Sequence, residues 1–194
     1  MKVLGITGGI GSGKSVVSKI LETKEIPVYN SDLEAKRLME SSPTIRKKLS
    51  ERFGKDLYEK DTLNKNLLAS VVFDHPKELA FVNSVVHPEV YQDFMVWKEK
   101  SVINEWVGIE SAILFESGFD QYADFCLLVS APLEIRIQRT QERDHVSKEA
   151  ILNRIRNQMP EEEKQSLADF TIVNDDCQAI LPQIDNLINC MSIL

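Results

Sequence analysis

The sequence predicts an α/β fold, a five-stranded parallel sheet with helices on both faces. Short apolar runs that predict buried strands alternate with segments whose apolar residues recur at helical spacing. Such alternation favours parallel strands joined by helical crossovers. Two features distinguish this chain among such folds: a glycine cluster after the first strand and a long segment without strands after the second. The predicted strands cover residues 3–7, 26–29, 102–109, 124–129 and 170–173.

The connections between these strands predict the helices. In the core, apolar residues at helical spacing occupy 14–22, 132–143 and 177–189. The segment from 31 to 100, about 70 residues, is far longer than an ordinary crossover. An insertion of this size indicates a helical lobe that binds a second substrate, although a purely structural helical cap remains open. It contains no convincing strand, and its pieces predict helices at 31–40, 43–53, 63–73 and 76–98.

The composition excludes several classes of protein. In 194 residues the hydrophobic share is 43%, which is enough for a core, and no apolar run is long enough to cross a membrane. With 30 acids against 23 bases the net charge is −7, so we expect no nucleic-acid partner. The three cysteines are widely spaced and predict no disulfide framework or zinc site, which favours a reducing cytoplasm. Cys126 lies in an apolar run and is expected to be a core residue.

Residues 8–15 form the most informative motif of the chain. They read Gly-Gly-Ile-Gly-Ser-Gly-Lys-Ser, which fits the phosphate-binding pattern G-x-x-x-x-G-K-[ST] at every fixed position. A Rossmann loop is excluded because G-x-G-x-x-G does not fit these glycines, and a merely flexible turn leaves the Lys-Ser pair unexplained. The motif predicts a P-loop that binds a nucleoside triphosphate with Mg²⁺.

This motif assigns the first candidate binding residues. Lys14 is expected on the β- and γ-phosphates, and the Ser15 hydroxyl on Mg²⁺. Successive backbone N–H groups of the loop point toward the phosphates, and the positive end of the following helix adds its field. The expected nucleotide contacts are Gly11, Ser12, Gly13, Lys14, Ser15 and Val16.

Arginines cluster between residues 139 and 165, the segment that we expect to form a helical lid. Arg139 and Arg143 lie four residues apart on one helix face and suit bidentate contacts with phosphate. Arg154 and Arg156 follow them, and Pro160 precedes three glutamates that predict the start of another helix. Solvated salt bridges between these arginines and nearby acids remain the alternative.

A P-loop alone does not decide the class of protein. The pattern of guanine-selective switches is absent, since no D-x-x-G occurs and the Asn-Lys pair at 64–65 lacks the following Asp. The apolar run ending at Glu110 matches a motor or assembly ATPase only weakly. The lid and the insertion favour a P-loop kinase-like fold that closes over two substrates. Another small-molecule kinase and a regulatory ATPase remain open.

The chain resembles the dephospho-coenzyme A kinases over essentially its whole length. Residues 4–15 are similar to that family's opening nearly residue for residue, and residues 28–32 resemble the segment whose aspartate faces the acceptor hydroxyl. The later matches follow in family order. They are Val86-His87-Pro88, Ile113-Leu114-Phe115-Glu116, the lid residues Gln138-Arg139-Thr140 with Arg143-Asp144 and Gln158-Met159, and Ala168-Asp169 with Asn174-Asp175.

The resemblance implies transfer of the γ-phosphoryl group of ATP to the ribose 3′-hydroxyl of dephospho-coenzyme A. It implies a nucleotide-binding core of residues 1–30, 101–138 and 166–194, an acceptor-binding lobe of 31–100 and a lid of 139–165. The expected partners are thus ATP with Mg²⁺ and dephospho-coenzyme A, without nucleic acid or membrane. We expect a monomer, with an oligomer left open.

The same matches imply the roles of the catalytic and nucleotide-binding side chains. Asp32 accepts the proton of the acceptor hydroxyl, and Lys14 and Arg143 stabilise charge on the transferred group. Arg139 contacts the adenine or the phosphates, and Asn174 lies near the adenine. A plain helix-start role for Asp32 remains open.

The resemblance also bears on the acceptor site, through His87, and on the magnesium site, through Asn30. His87 is expected to bind the acceptor, with a structural role before Pro88 as the alternative. Where the family has its first aspartate, this chain has Asn30, so whether residue 30 or Glu110 helps to hold magnesium is left open.

Overall fold

A computed structural model gives the fold and describes residues 1–60, 62–73, 75–101 and 104–193. The chain divides into two compact units. One consists of Met1–Asn30 together with Ser101–Leu194, and the other of Ser31–Lys100. Among the described residues, no helix is both long enough and apolar enough to cross a membrane.

Strands and helices alternate along most of the chain. The strands are β1 (Lys2–Thr7), β2 (Val28–Asn30), β3 (Tyr58–Glu59), β4 (Thr62–Leu63), β5 (Trp106–Glu110), β6 (Phe125–Ser130) and β7 (Phe170–Val173). The helices are α1 (Lys14–Thr23), α2 (Ser31–Ser41), α3 (Pro43–Phe53), α4 (Lys65–Val72), α5 (Pro76–Lys100), α6 (Leu133–Asp144), α7 (Lys148–Arg156), α8 (Glu161–Leu167) and α9 (Ile180–Met191). Two short 3-10 helices cover Lys55–Leu57 and Phe119–Tyr122.

The first unit contains the predicted five-stranded parallel sheet, in the order β2-β5-β1-β6-β7. The central strand β1 runs directly into the glycine loop, so the loop begins at the carboxyl edge of the sheet. Asn30 of β2 and Ile6 of β1 both stand in register with Glu110 of β5 at that edge. The fold class predicted from the sequence is therefore confirmed, and the carboxyl edge is where such sheets bind ligands.

The core of this unit lies between the sheet and two helices on one of its faces. Leu4 and Ile6 alternate with Val3 and Gly5 along β1, and the first pair packs with α1 and α9. On β6 the Cys126 side chain is buried as expected, and burial raises the pKa of its thiol to about 12. Such a thiol is a core residue with little reactivity. The main cluster comprises Leu4, Ile6, Val17, Leu21, Ile26, Trp106, Leu127, Val129, Ile172, Ile184, Leu187 and Met191.

The second unit is helical, as predicted, with one exception. The segment that showed no convincing strand contains the antiparallel pair β3–β4, in which Tyr58 faces Leu63. Two residues per strand are too few for the alternation that identifies a strand in sequence. The helix predicted at 63–73 accordingly begins only at Lys65, because the Asn64 side chain caps it by accepting from Leu67 N at 3.0 Å.

Two elements of the first unit also begin at residues other than those predicted. The third predicted strand starts at Trp106 instead of 102, and residues 102 and 103 lie outside the described residues. The last helix starts at Ile180 instead of 177, because the Asp175 carboxylate accepts from the backbone N–H groups of Cys177 and Gln178. That local turn competes with helical hydrogen bonding over the same residues.

Pro88 lies in the middle of α5 and not in the first turn of a helix, where proline is most common. A proline at this place cannot donate to the Ser84 carbonyl one turn earlier. Both Pro88 and Ser84 are exposed, so water can reach that carbonyl. The first position of α5 is taken by Pro76, where the missing N–H costs nothing.

Replacing Pro88 by alanine should stabilise the protein. Restoring the helical hydrogen bond in an exposed helix interior is expected to raise the free energy of unfolding by about 1–3 kcal/mol. Pro76→Ala is the matched control, since it removes a proline from the same helix where no hydrogen bond is regained. Urea denaturation of both variants measures the effect, and an equal change in the two would contradict the prediction.

Candidate active site

The loop between β1 and α1 adopts a conformation that its glycines allow. Gly11 and Gly13 have φ values of 78° and 94°, which L side chains rarely adopt, and Gly13 caps the N-terminus of α1. Ser12 N donates to Gly9 O at 3.1 Å and Val16 N to Gly13 O at 3.0 Å. The loop thus closes tightly onto the first turn of the helix, as a phosphate-binding loop requires.

Lys14 bends back over the loop that precedes it. Its Nζ donates to Gly8 O at 2.8 Å and lies 3.4 Å from Gly9 O, and only 9% of the residue is exposed. A buried ammonium needs such oxygen partners. The positive charge is therefore held beside the backbone of the loop, where phosphate oxygens could replace the carbonyls.

The hydroxyl groups around the loop differ in their surroundings. Ser15 and Val16, in the first turn of α1, are exposed. The hydroxyls of Thr7 and Ser12 are buried and have no hydrogen-bond partner among the described residues. Because buried hydroxyls are normally satisfied, these two indicate a place where water or a ligand oxygen completes the structure.

Arg139 and Asn174 are brought together beside the loop. Asn174 Nδ2 donates to Ser12 O at 2.8 Å, and Arg139 donates to the carbonyl and to Oδ1 of Asn174, both at 3.2 Å. Arg139 also pairs with Asp176. The loop after β7 and the arginine of α6 therefore lie against one side of the glycine loop.

Arg143, one helical turn beyond Arg139, has a different environment. Its Nε donates to Asp144 Oδ1 at 2.7 Å, and Arg154 of α7 reaches the same carboxylate at 3.2 Å. The neighbouring guanidinium of Arg143 holds the pKa of Asp144 below its usual range. The two lid arginines are thus joined through Asp144, and the structure shows no contact of Arg143 with the described residues of the loop.

Two side chains form hydrogen bonds with the loop at Ile10, one from α6 and one from the segment between α7 and α8. Arg136 Nε donates to Ile10 O at 3.0 Å, and Ile10 N donates to Gln158 Oε1 at 3.1 Å. The sequence analysis included Gln158 among the residues that resemble the family's lid, but it assigned no role to Arg136. Its only signal in the sequence is its spacing of four residues from Thr140, which places both on the buried face of α6.

The lid also contacts the segment after β5. Lys164 of α8, only 1% exposed, donates to Ala112 O at 2.7 Å and pairs with Glu116 at 3.0 Å. Glu116 also accepts from Met159 N at 2.8 Å. Sequence reasoning assigned no role to either Lys164 or Glu116, and the structure shows that together they attach α8 and Met159 to the segment after β5.

A magnesium site at the carboxyl edge has few protein ligands available. Among the described residues, no group of three or more His, Cys, Asp or Glu side chains could hold a metal. Mg²⁺ in phosphoryl-transfer sites is held by one or two protein oxygens, substrate phosphates and water. The exposed Ser15 hydroxyl, with the cross-strand pair Asn30 and Glu110 at the same edge, fits that kind of coordination.

Asp32 and His87 belong to the second unit. Asp32 is half-buried in the first turn of α2, which follows β2 without a connecting loop. His87 is half-buried in α5, and burial lowers the pKa of its imidazole below the ordinary value of 6.5. A neutral imidazole at neutral pH can both donate and accept a hydrogen bond.

The sheet order, the glycine loop and the buried lysine define a P-loop protein that binds a nucleoside triphosphate. Comparison with known proteins supports a narrower assignment. The family model described as dephospho-CoA kinase matches residues 2–179. The chain is 45% identical over 185 residues to the dephospho-CoA kinase of Bacteroides fragilis (strain YCH46), covering 95% of this chain and 90% of that one. The chain belongs to the dephospho-CoA kinase family.

Two further comparisons extend over nearly the whole chain. The dephospho-CoA kinase of Porphyromonas gingivalis is 44% identical, with 97% of this chain and 93% of the relative covered. A crystal structure from Thermus thermophilus superposes with a TM-score of 0.81 at 34% identity, covering 99% of this chain and 96% of that one. The similarity therefore includes residues 31–100 and 139–165 as well as the loop.

Gly13→Ala should weaken nucleotide binding. A Cβ at residue 13 would lie 2.1 Å from Asn174 Nδ2, at a backbone φ of 94°. We expect the dissociation constant of ADP to rise by at least about tenfold, which corresponds to about 1.4 kcal/mol.

The matched control for this variant is Gly54→Ala. Gly54 also has a φ of 94°, but no atom lies within 4 Å of its added Cβ. With ψ values of 161° at Gly54 and 23° at Gly13, alanine is at least as strained at residue 54 as at residue 13, so the control introduces backbone strain without the clash. Calorimetric titration with ADP measures both variants, and wild-type affinity in Gly13→Ala would refute the prediction.

Proposed function

We propose that this protein phosphorylates the ribose 3′-hydroxyl of dephospho-coenzyme A with ATP, giving coenzyme A and ADP, the last step of coenzyme A biosynthesis. The observation that carries the proposal is a complete P-loop in a chain whose residues 2–179 match the family. Such a transfer needs charge neutralisation, in-line alignment and a group that accepts the hydroxyl proton.

The triphosphate binds at the glycine loop. The backbone N–H groups from Gly11 to Val16 surround the phosphates, and Lys14 exchanges its contact with Gly8 O for the β- and γ-phosphate oxygens. Arg139 and Asn174 bind the adenosine end of ATP. The contact of Asn174 with Ser12 and that of Arg139 with Asn174 support this assignment, since both side chains lie next to the loop.

Ser15 would hold magnesium, with Glu110 or Asn30 as a further oxygen ligand, directly or through water. The cation would supply neutralisation of charge on the β- and γ-phosphates. The Ser15 hydroxyl lies in the first turn of α1 and is exposed.

The acceptor binds in residues 31–100, with His87 as one contact. Asp32 orients the ribose 3′-hydroxyl and accepts its proton. A carboxylate in the first turn of a helix is also favoured by the helix dipole, so its position is compatible with both roles. Helix-start stabilisation and base catalysis thus do not exclude each other.

The lid of residues 139–165 contributes Arg143. In this proposal Arg143 leaves Asp144 and contacts the transferred phosphoryl group when ATP binds. The exposure of Arg143 supports the proposal, because an exposed ion pair of this kind contributes little to stability and is readily exchanged.

The acceptor is identified by a coupled assay of ADP release with Mg-ATP. Dephospho-coenzyme A is compared with AMP, shikimate, adenosine and no acceptor. We expect turnover with dephospho-coenzyme A alone and coenzyme A as the product. Equal turnover without acceptor would identify a regulatory ATPase, and turnover with another acceptor a different small-molecule kinase.

Asp32→Asn tests the catalytic assignment. Removing the proton acceptor should lower kcat by about 10²–10⁴-fold and leave ADP affinity unchanged. Glu34→Gln is the matched control, because it removes a carboxylate from the same first turn, where Glu34 pairs with Arg37. We expect wild-type kcat in the control. A wild-type kcat in Asp32→Asn would remove Asp32 from the mechanism.

A further inference from the structure

We infer that Arg136 is a positioning residue for the phosphate loop, and that its ion pair with Glu161 couples the loop to the end of the lid. The inference rests on the proposed function only in that the loop binds ATP. Arg136 acts through the backbone of Ile10, so its effect appears in nucleotide affinity before any acceptor is present.

The guanidinium of Arg136 lies directly against the loop. The residue is 5% exposed, and its Nε donates to Ile10 O at 3.0 Å. A Cβ at Gly9 would lie 2.0 Å from Arg136 Nη2, so the guanidinium occupies the space that a side chain at residue 9 would need. Gly9 is not a fixed glycine of the phosphate-binding pattern, and this contact gives a reason for glycine there.

The backbone of Arg136 packs on the same loop. A Cβ at Gly11 would lie 2.3 Å from Arg136 O and 2.6 Å from Thr140 Oγ1. Thr140 Oγ1 donates to Arg136 O at 2.7 Å, which keeps this turn of α6 compact. Two glycines of the loop therefore contact one residue of α6, through its side chain and through its main chain.

Glu161, the first residue of α8, completes the arrangement. One carboxylate oxygen pairs with Arg136 Nη1, and the other accepts from the Ser130 hydroxyl at the end of β6. A buried guanidinium requires such a partner, because an unpaired charge in this position would be strongly destabilising. The planar group can satisfy Ile10 and Glu161 at once in fixed directions, which the single ammonium of a lysine does less well.

The peptide groups of Ile10 are held at both ends. Arg136 binds the Ile10 carbonyl and Gln158 of the lid binds the Ile10 N–H. Ile10 stands immediately before the residues whose N–H groups are expected on the phosphates. Fixing its orientation fixes the direction of the following amides. One of the two contacts is made by Gln158, between α7 and α8, and the other extends through Arg136 to Glu161 at the start of α8.

The test measures ADP affinity without acceptor, and then KM for each substrate, in Arg136→Lys and Glu161→Gln. Arg136→Lys should raise the dissociation constant of ADP and KM for ATP by at least about tenfold, the size of one charge-assisted hydrogen bond. KM for dephospho-coenzyme A should stay at the wild-type value. Glu161→Gln should change the same two quantities in the same direction by a smaller factor.

Glu163→Gln is the matched control. It removes an acidic charge from the same first turn of α8, and Glu163 is exposed. Wild-type affinity in the control with weakened affinity in Glu161→Gln supports the inference. The double variant Arg136→Lys with Glu161→Gln should bind ADP no more weakly than Arg136→Lys alone, because Glu161 acts through Arg136.

Three results would overturn the inference. They are wild-type ADP affinity in the folded fraction of Arg136→Lys, additive losses in the double variant, and equal losses in the Glu161 and Glu163 variants. A merely structural role would lower the melting temperature and leave ADP affinity unchanged. Failure of the proposed acceptor would appear as wild-type ADP binding without coenzyme A formation, which is a separate outcome.

Discussion

Side chains from other elements pack directly against the main chain of the loop at its glycines, and the nucleotide site depends on this packing. A loop that presents its N–H groups to phosphate must expose its main chain, and an exposed main chain needs support from elsewhere. Here Arg136 fills the space beside Gly9, and Asn174 fills the space beside Gly13. The glycines thus serve the packing of the protein as well as the approach of the ligand.

This support comes from elements that are distant in the chain. Asn174 follows the last strand of the sheet, and Glu161 and Lys164 lie one turn apart in α8. Each of the two α8 residues pairs with a charge of opposite sign, Arg136 and Glu116 respectively. Burying such pairs brings little net stability, but breaking one leaves an uncompensated charge. The helix α8 therefore has a defined position relative to the loop.

The sheet and the loop could be predicted from sequence because their signals are local. Apolar runs identify the strands of the sheet, and the spacing of Lys14 after the glycines identifies the ligand. The support of the loop could not be predicted in this way. Arg136 looks like any arginine on an amphipathic helix, and Lys164 follows an acid run that suggests an exposed helix start. Their burial is a consequence of tertiary packing between segments that no pattern connects.

Some predicted helix boundaries were wrong for a related reason. The turn at Asp175 and the cap at Asn64 replace helical hydrogen bonds by side-chain ones, and such competition is decided by small energies. Pro88 is the opposite case, since a residue that normally ends a helix is kept inside one. The long α5 compensates for the missing bond with five buried apolar residues, Val82, Val85, Val86, Val90 and Phe94. Packing overrides propensity there.

The distribution of charge differs between residues 31–100 and the rest of the chain. Acids and bases balance within residues 31–100, so the excess of acids behind the net charge of −7 lies in the remainder. The nucleotide-binding unit can carry this excess because backbone dipoles and a few fixed cations at the loop act at short range. In the proposed function, residues 31–100 admit an anionic acceptor, and they contain no such loop. Under that proposal their electrical neutrality avoids long-range repulsion of the acceptor, and the choice of acceptor is left to shape and to individual contacts.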